Sequence, residues 1–227
     1  MVAATLPAVF AGCSSGPDDE PTPSVASLPP AAPLLKDSAA AMREVKSAKF
    51  DLAGRGSIAG VEVDSAEGTV TSDGRAQGIV HIKQSGSLVE LELVVIGEDI
   101  YIKGPTGQFA KLPKGAAGSV FDPSQILSPD RGLARLLEFA SEAKTVGEEE
   151  VDGIDTWKVE AKLDGTLVSH LMPLPTVNNV PGTLWISKDD GKLVQIAVTT
   201  PQAGGETAQI TLHLSDFGVQ TEITPPA

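Results

Sequence analysis

The chain has 227 residues, a formal net charge of −13 and a single cysteine, Cys13. The acidic balance argues against a nucleic-acid partner, because phosphate binding needs clustered lysine and arginine. It also argues against attachment to anionic lipid through a basic patch. One cysteine excludes an intramolecular disulfide, and no apolar run reaches the roughly 18 residues of a membrane-spanning helix. Aromatic residues are few (Phe 6, Trp 2, Tyr 1), so the interior must consist mainly of small branched side chains.

The first residues are apolar and stop at Cys13. Ala11 and Gly12 precede the thiol and resemble a bacterial lipobox, where the cysteine is acylated and the chain is cut just before it. Phe10 stands where leucine is usual, and no cation precedes the short apolar run, so the pattern departs from a full signal peptide. The alternative is an incidental free thiol. We predict a signal peptide and lipobox over residues 1–13, with Cys13 as the lipid anchor.

Residues 14–33 are rich in proline, serine and acidic side chains. Such a segment cannot bury enough apolar surface to fold. It is expected to be a disordered tether, or a plain disordered terminus if Cys13 carries no lipid. A single domain is predicted to follow over residues 34–227.

Two segments have helical periodicity. Residues 34–48 place Leu35, Met42 and Val45 on one side, and their alanine run favours a helix. The strongest helical signal runs over residues 121–144, where apolar side chains recur at i, i+3, i+4 and i+7. These are Leu133, Leu136, Leu137 and Ala140. One or two further helical turns are predicted over residues 166–172.

The rest of the chain alternates apolar and polar residues, as strands with one dry and one wet face do. Turns are predicted at 73–74, 152–153 and 190–191, and a bulge near Ser65. Short strands are expected at 109–112 and 218–223. About ten strands with helices set apart predict an α+β fold with an antiparallel sheet. At about 4.8 Å per strand the sheet would span about 48 Å, more than one or two helices can cover. It must curl around them, close or leave an apolar hollow; a filled barrel or sandwich is the alternative.

Catalytic and metal-binding signals are weak. His81, His170 and His213 are far apart, with no cysteine or acidic cluster at metal-ligand spacing. Ser169-His170 lies in no G-x-S-x-G turn. We therefore predict no metal, no cofactor, no catalytic residues and no enzyme activity.

Several blocks resemble the mycobacterial LppX/LprG-type cell-envelope lipoproteins, and the resemblance covers essentially the whole chain. The most specific block is VFDPSQILSPDRGLARLL at 120–137. It is accompanied by AGCSS at 11–15, VVIGEDIYIKG at 94–104, PGTLWI at 181–186 and LHLSDFG at 212–218. Phe217 stands where tryptophan is common in the family.

The resemblance implies a large curved antiparallel sheet (a half-barrel), with helices on its concave face enclosing an apolar cavity. It implies binding of acylated lipids, of triacylated glycolipid, phosphatidylinositol-mannoside or triacylglycerol type, and their carriage across the periplasm. The match of GIVHI places Val80 in the cavity, and strand parity adds Ile82, Val89, Leu91, Leu93 and Val95. Leu133, Leu136 and Leu137 are expected to close it from the helix.

We also expect a monomer on the extracytoplasmic side of the cell membrane, held by its lipid anchor, and the relatives imply a membrane transporter as partner. The alternative is a structural or signalling surface lipoprotein with a filled core and no lipid cargo.

Overall fold

The computed structural model describes residues 28–55, 63–84, 86–113, 122–172, 178–201 and 207–226. Cys13, the lipobox and most of the predicted tether lie outside these residues. Among the described residues, no helix combines the length and the apolar character needed to cross a membrane.

The dominant element is an 11-stranded sheet in the order β6-β5-β4-β3-β2-β1-β11-β10-β9-β8-β7. Each neighbouring pair is antiparallel. The first and last strands of the chain pair with each other in the middle, so the sheet is open and its edges are β6 and β7. The strands are β1 Ser47–Arg55, β2 Val63–Thr71, β3 Arg75–Gln84, β4 Ser87–Ile96, β5 Asp99–Lys103, β6 Phe109–Pro113, β7 Ser141–Val151, β8 Ile154–Asp164, β9 Asn179–Ser187, β10 Leu193–Pro201 and β11 Thr207–Ser215.

Within the described ranges, three helices pack on the dry face of this sheet: α1 Ala31–Glu44, α2 Leu133–Phe139 and α3 Gly165–Leu171. A 3₁₀ turn, Pro123–Gln125, contacts β2 and β3, while α1 packs on α2 and β7, and α2 packs on β8. The predicted α+β half-barrel, with helices on the concave face, is confirmed. We call the opposite face of the sheet the outer face.

Local sequence signals set most element boundaries. The Asp164 carboxylate caps α3 by accepting hydrogen bonds from the backbone N–H groups of Thr166 and Leu167, at 2.9 and 3.0 Å. The predicted bulge on β2 is present as a register shift between Val63 and Ser65. The predicted turn at 152–153 has φ values of 49° and 80°, as a tight hairpin turn requires.

The predicted long helix over residues 121–144 is wrong in its extent. The helix α2 ends at Phe139, and β7 begins at Ser141. Ser141 pairs with Lys162 on β8, and the Glu142 carboxylate lies 2.7 Å from the Lys162 ammonium. Pairing with a neighbouring strand therefore overrides the helical preference of this segment. The first helix likewise ends at Glu44, before the predicted residue 48.

The predicted strand at 218–223 is also wrong. This segment runs across the ends of the strands instead of along them. The Gly218 N–H donates to the Ser47 carbonyl at 2.8 Å, and the Arg75 guanidinium donates to the Ile223 carbonyl at 2.9 Å. Ile223 is 2% exposed, so this C-terminal strap closes one end of the core.

Candidate functional site on the concave face of the sheet

The concave face is apolar in both halves of the sheet, but the two halves differ in burial. On β1 and on β8 to β11, the side chains of the concave face are packed against other core residues. Leu52, Leu163, Leu184, Ile196 and Leu212 have 0% exposure. This half is a filled hydrophobic core of the ordinary kind.

On β2 to β5, burial decreases along the strands. Near the turns that join β2 to β3 and β4 to β5, the dry side chains of Val70, Ala76, Val95 and Ile100 are buried. Toward the hairpin between β3 and β4, the side chains on the same face are only half-buried. We call this set the half-buried band; it consists of Val63, Ile82, Val89, Leu91 and Ile102.

The sheet register brings the half-buried band together. Ile82 pairs with both Val63 and Val89 across the β2–β3 and β3–β4 ladders. The Leu91 side chain on β4 approaches the residue that follows β5, since a Cβ added to Gly104 would lie 3.4 Å from the Leu91 Cδ2 atom. Such a continuous, partly exposed apolar surface on the inside of a curved sheet gains free energy when an apolar ligand covers it.

The nine predicted cavity residues share the concave side but not the same environment. Ile82, Val89 and Leu91 belong to the half-buried band. The others are buried in one core cluster: Val80, Leu93, Val95, Leu133, Leu136 and Leu137, each with 3% exposure or less. Sequence reasoning did not select Val63 and Ile102, although their strand parity would have found them. Cys13 lies outside the described residues.

The helical cover of this face is fixed by local bonds. The backbone N–H of Leu133 donates to the Ile126 carbonyl at 3.0 Å, which sets the start of α2. A Cβ added to Gly132 would lie 2.4 Å from the Ser128 carbonyl oxygen, so only glycine fits this approach. Arg43 on α1 bonds to Glu138 on α2, and this hydrogen bond lowers the pKa of Glu138 below its ordinary value.

The described part of the chain has no group of three or more His, Cys, Asp or Glu side chains arranged to hold a metal ion. Ser169 and His170 make contacts within their own helix. The Ser169 hydroxyl donates to the Thr166 carbonyl at 2.8 Å, and His170 Nδ1 lies 2.7 Å from the same oxygen.

An open antiparallel half-barrel with an apolar, helix-covered concave face is the architecture of a class of envelope lipoproteins. The chain belongs to the LppX_LprAFG lipoprotein family, whose profile matches residues 30–223. The lipoarabinomannan carrier protein LprG of Mycolicibacterium smegmatis is 32% identical over 230 residues, which cover 100% of this chain and 94% of that protein.

Two solved structures share the fold. LprF from Mycobacterium bovis has a TM-score of 0.73 and 23% identity, covering 87% of this chain and 97% of the other. LppX from Mycobacterium tuberculosis has a TM-score of 0.63 and 20% identity, covering 86% and 98%.

Proposed function

We propose that this protein is a non-catalytic carrier that binds acylated lipids on the concave face of its sheet. The half-buried band carries the proposal, because it is apolar surface that the described helices leave partly uncovered. The relatives named lipoarabinomannan carrier proteins support the same role. Each CH₂ group of an acyl chain that leaves water gains about 0.8 kcal/mol, so a carrier of this kind needs apolar area more than polar contacts.

In this proposal the nine predicted cavity residues form two parts of one site. The half-buried Ile82, Val89 and Leu91 make the first contact with the acyl chains. The buried members, Val80, Leu93, Val95, Leu133, Leu136 and Leu137, form the floor and the helical cover. The Arg43–Glu138 pair joins α1 to α2, so the two helices together cover this face.

The proposed cargo has triacylated glycolipid, phosphatidylinositol-mannoside or triacylglycerol character. We place the protein at the extracytoplasmic side of the cell membrane, with Cys13 acylated, residues 14–33 as a tether and residues 34–227 as one monomeric lipid-binding domain. In this position it would receive lipid from a membrane transporter and carry it across the periplasm toward the outer envelope.

A vesicle transfer assay tests the proposal with a matched pair of variants on one strand. Leu91→Asp puts a carboxylate on the concave face, whereas Leu88→Asp puts one on the outer face, where Leu88 is already 57% exposed. Burying an unpaired carboxylate against acyl chains is costly. We expect wild type and Leu88→Asp to transfer labelled triacylglycerol between vesicles, and Leu91→Asp to lose transfer while still folded.

A structural or signalling lipoprotein with a filled core is the rival function, and the same assay separates the two. If the folded wild-type protein transfers no acylated lipid, or if both variants transfer it equally well, the carrier function is rejected in favour of the rival.

A further inference from the structure

A second concavity lies on the outer face, on the other side of the sheet from the acyl-lipid site. This outer groove has a volume of about 610 Å³. It crosses β1 to β4 and reaches β11. Its lining includes Lys49, Asp51, Glu67, Thr69, Gln77, Ile79, Glu92, Val94 and Ser215, whose parity is opposite to that of the buried core residues on the same strands.

Two paired glycines form the floor of the outer groove. Gly68 on β2 is in register with Gly78 on β3, between Phe50 and Leu93 on the flanking strands. A Cβ on Gly68 would lie 2.1 Å from the Gln77 carbonyl oxygen, and a Cβ on Gly78 would lie 2.1 Å from the Glu67 carbonyl oxygen. The two backbones therefore approach more closely than a side chain on either glycine would allow.

The charges of the groove exclude an anionic ligand. Asp51 and Glu67 face each other across β1 and β2, and neither carboxylate has a hydrogen-bond or ion-pair partner within the described ranges. The Lys49 ammonium lies 2.6 Å from the Asp216 carboxylate. With carboxylates in the groove and its one lining cation paired, a phosphate or carboxylate would be repelled.

The mixture of donors and acceptors favours hydroxyl groups over ammonium or guanidinium groups. Carboxylates only accept hydrogen bonds, but the Gln77 amide and the hydroxyls of Thr69 and Ser215 both donate and accept. A lysine or arginine side chain offers donors alone, so it would bond only to the carboxylates and to the oxygens of the amide and the hydroxyls, whose own donors would stay with water. A sugar hydroxyl satisfies both kinds of group.

The apolar part of the lining fits the same chemistry. Ile79 and Val94 are half-buried on the outer face and project among the polar side chains. The C–H face of a sugar ring can rest on such side chains while its hydroxyls bond around the edge. The volume lies within the range of about 300–1,000 Å³ typical of small-molecule sites.

We propose that the outer groove binds a neutral saccharide. The source is either the glycan of a bound glycolipid or an envelope polysaccharide without acyl chains. The inference goes beyond the lipid-carrier function. A polysaccharide source does not require that function, because the groove and the acyl-lipid site lie on opposite faces of the sheet, whereas the glycan of a bound glycolipid rests on it.

A nuclear magnetic resonance titration of the full-length chain tests the proposal. The probe is deacylated arabinomannan, chosen because relatives are named carriers of lipoarabinomannan. We expect backbone amide shifts at Glu67 and Gln77, and binding about tenfold weaker in Gln77→Leu, which keeps the side-chain volume but loses the amide. Glu160→Gln, an exposed acidic position outside the groove, should bind like wild type.

A comparison of deacylated arabinomannan with intact lipoarabinomannan separates the two sources of saccharide. Groove shifts with deacylated arabinomannan identify a polysaccharide site, and shifts seen only with intact lipoarabinomannan identify the glycan of a bound lipid; both support the proposal. No groove shifts with either probe, equal affinity of Gln77→Leu and wild type, or binding of a lysine-rich peptide there instead of saccharide, would overturn it. Triacylglycerol carries no sugar, so its binding in parallel tests the carrier function alone.

Discussion

Replacing Leu91 by alanine should weaken lipid binding with only a modest loss of stability. Complete burial of a leucine side chain gains about 1.5–3 kcal/mol, and Leu91 is half-buried in the ligand-free protein. Covering the remaining surface with an acyl chain is therefore worth up to about 1 kcal/mol, or at most about fivefold in affinity. Leu91→Ala should lower the affinity for triacylglycerol by that factor.

The matched control is Leu184→Ala on the filled half of the same face. Leu184 has 0% exposure, so its truncation should cost about 2–5 kcal/mol of unfolding free energy. Its lipid affinity should stay within twofold of wild type at a temperature where the variant is folded. Urea denaturation and equilibrium binding of a fluorescent triacylglycerol measure the two quantities separately. If Leu91→Ala binds lipid as wild type does, the half-buried band is not the contact surface.

Three other predictions concern the frame of the site. Gly68→Ala should destabilise the fold by about 3 kcal/mol or more, because the new Cβ would lie 2.1 Å from a backbone oxygen. Gly147→Ala is the control, since a Cβ there would have nothing within 4 Å and should not destabilise the fold. Urea denaturation compares the two variants. Hydrogen bonds from Lys158 and Trp185 lower the pKa of Glu149 below its ordinary 4.5, so this carboxylate should stabilise the fold above about pH 4.5 and lose that effect as pH falls through its folded pKa. The unfolding free energy of Glu149→Gln, measured as a function of pH, should not show this loss at acidic pH. The same pH dependence in the variant and in wild type would contradict a stabilising role of the Glu149 carboxylate. Ile223→Ala should cost about 2 kcal/mol, the low end for a buried isoleucine, since the strap belongs to no helix or strand. An unchanged urea midpoint would show that the strap does not hold the core.

Strand parity and turn chemistry were enough to predict the sheet, because both are local. The bulge near Ser65 follows from the change of parity along β2, and the hairpin turns follow from Asp-Gly pairs. The extent of α2 was not predictable in this way. Residues after Phe139 continue a helical pattern, yet they pair with β8, and no local signal reports that partner.

The sequence was enough to predict which face of the sheet carries the candidate site, but not how deeply each of its residues is buried. Val80 and Ile82 have the same parity on β3, and both were predicted to face the cavity. Val80 has 3% exposure, whereas Ile82 is half-buried. Parity tells which side chains share a face, but the burial of each depends on which helix lies above it. The outer groove was missed for a related reason, since the pairing of Gly68 with Gly78 becomes visible only once β2 and β3 are in register.

Native mass spectrometry of the intact protein, gently extracted from an actinobacterial host, tests the carrier function most directly. We expect lipid adducts that disappear on denaturation, and fewer of them in Leu91→Asp than in Leu88→Asp. A separate added mass at Cys13 that survives denaturation would identify the anchor. A folded protein that carries no dissociable lipid, and takes none up from triacylglycerol vesicles, would contradict the central claim.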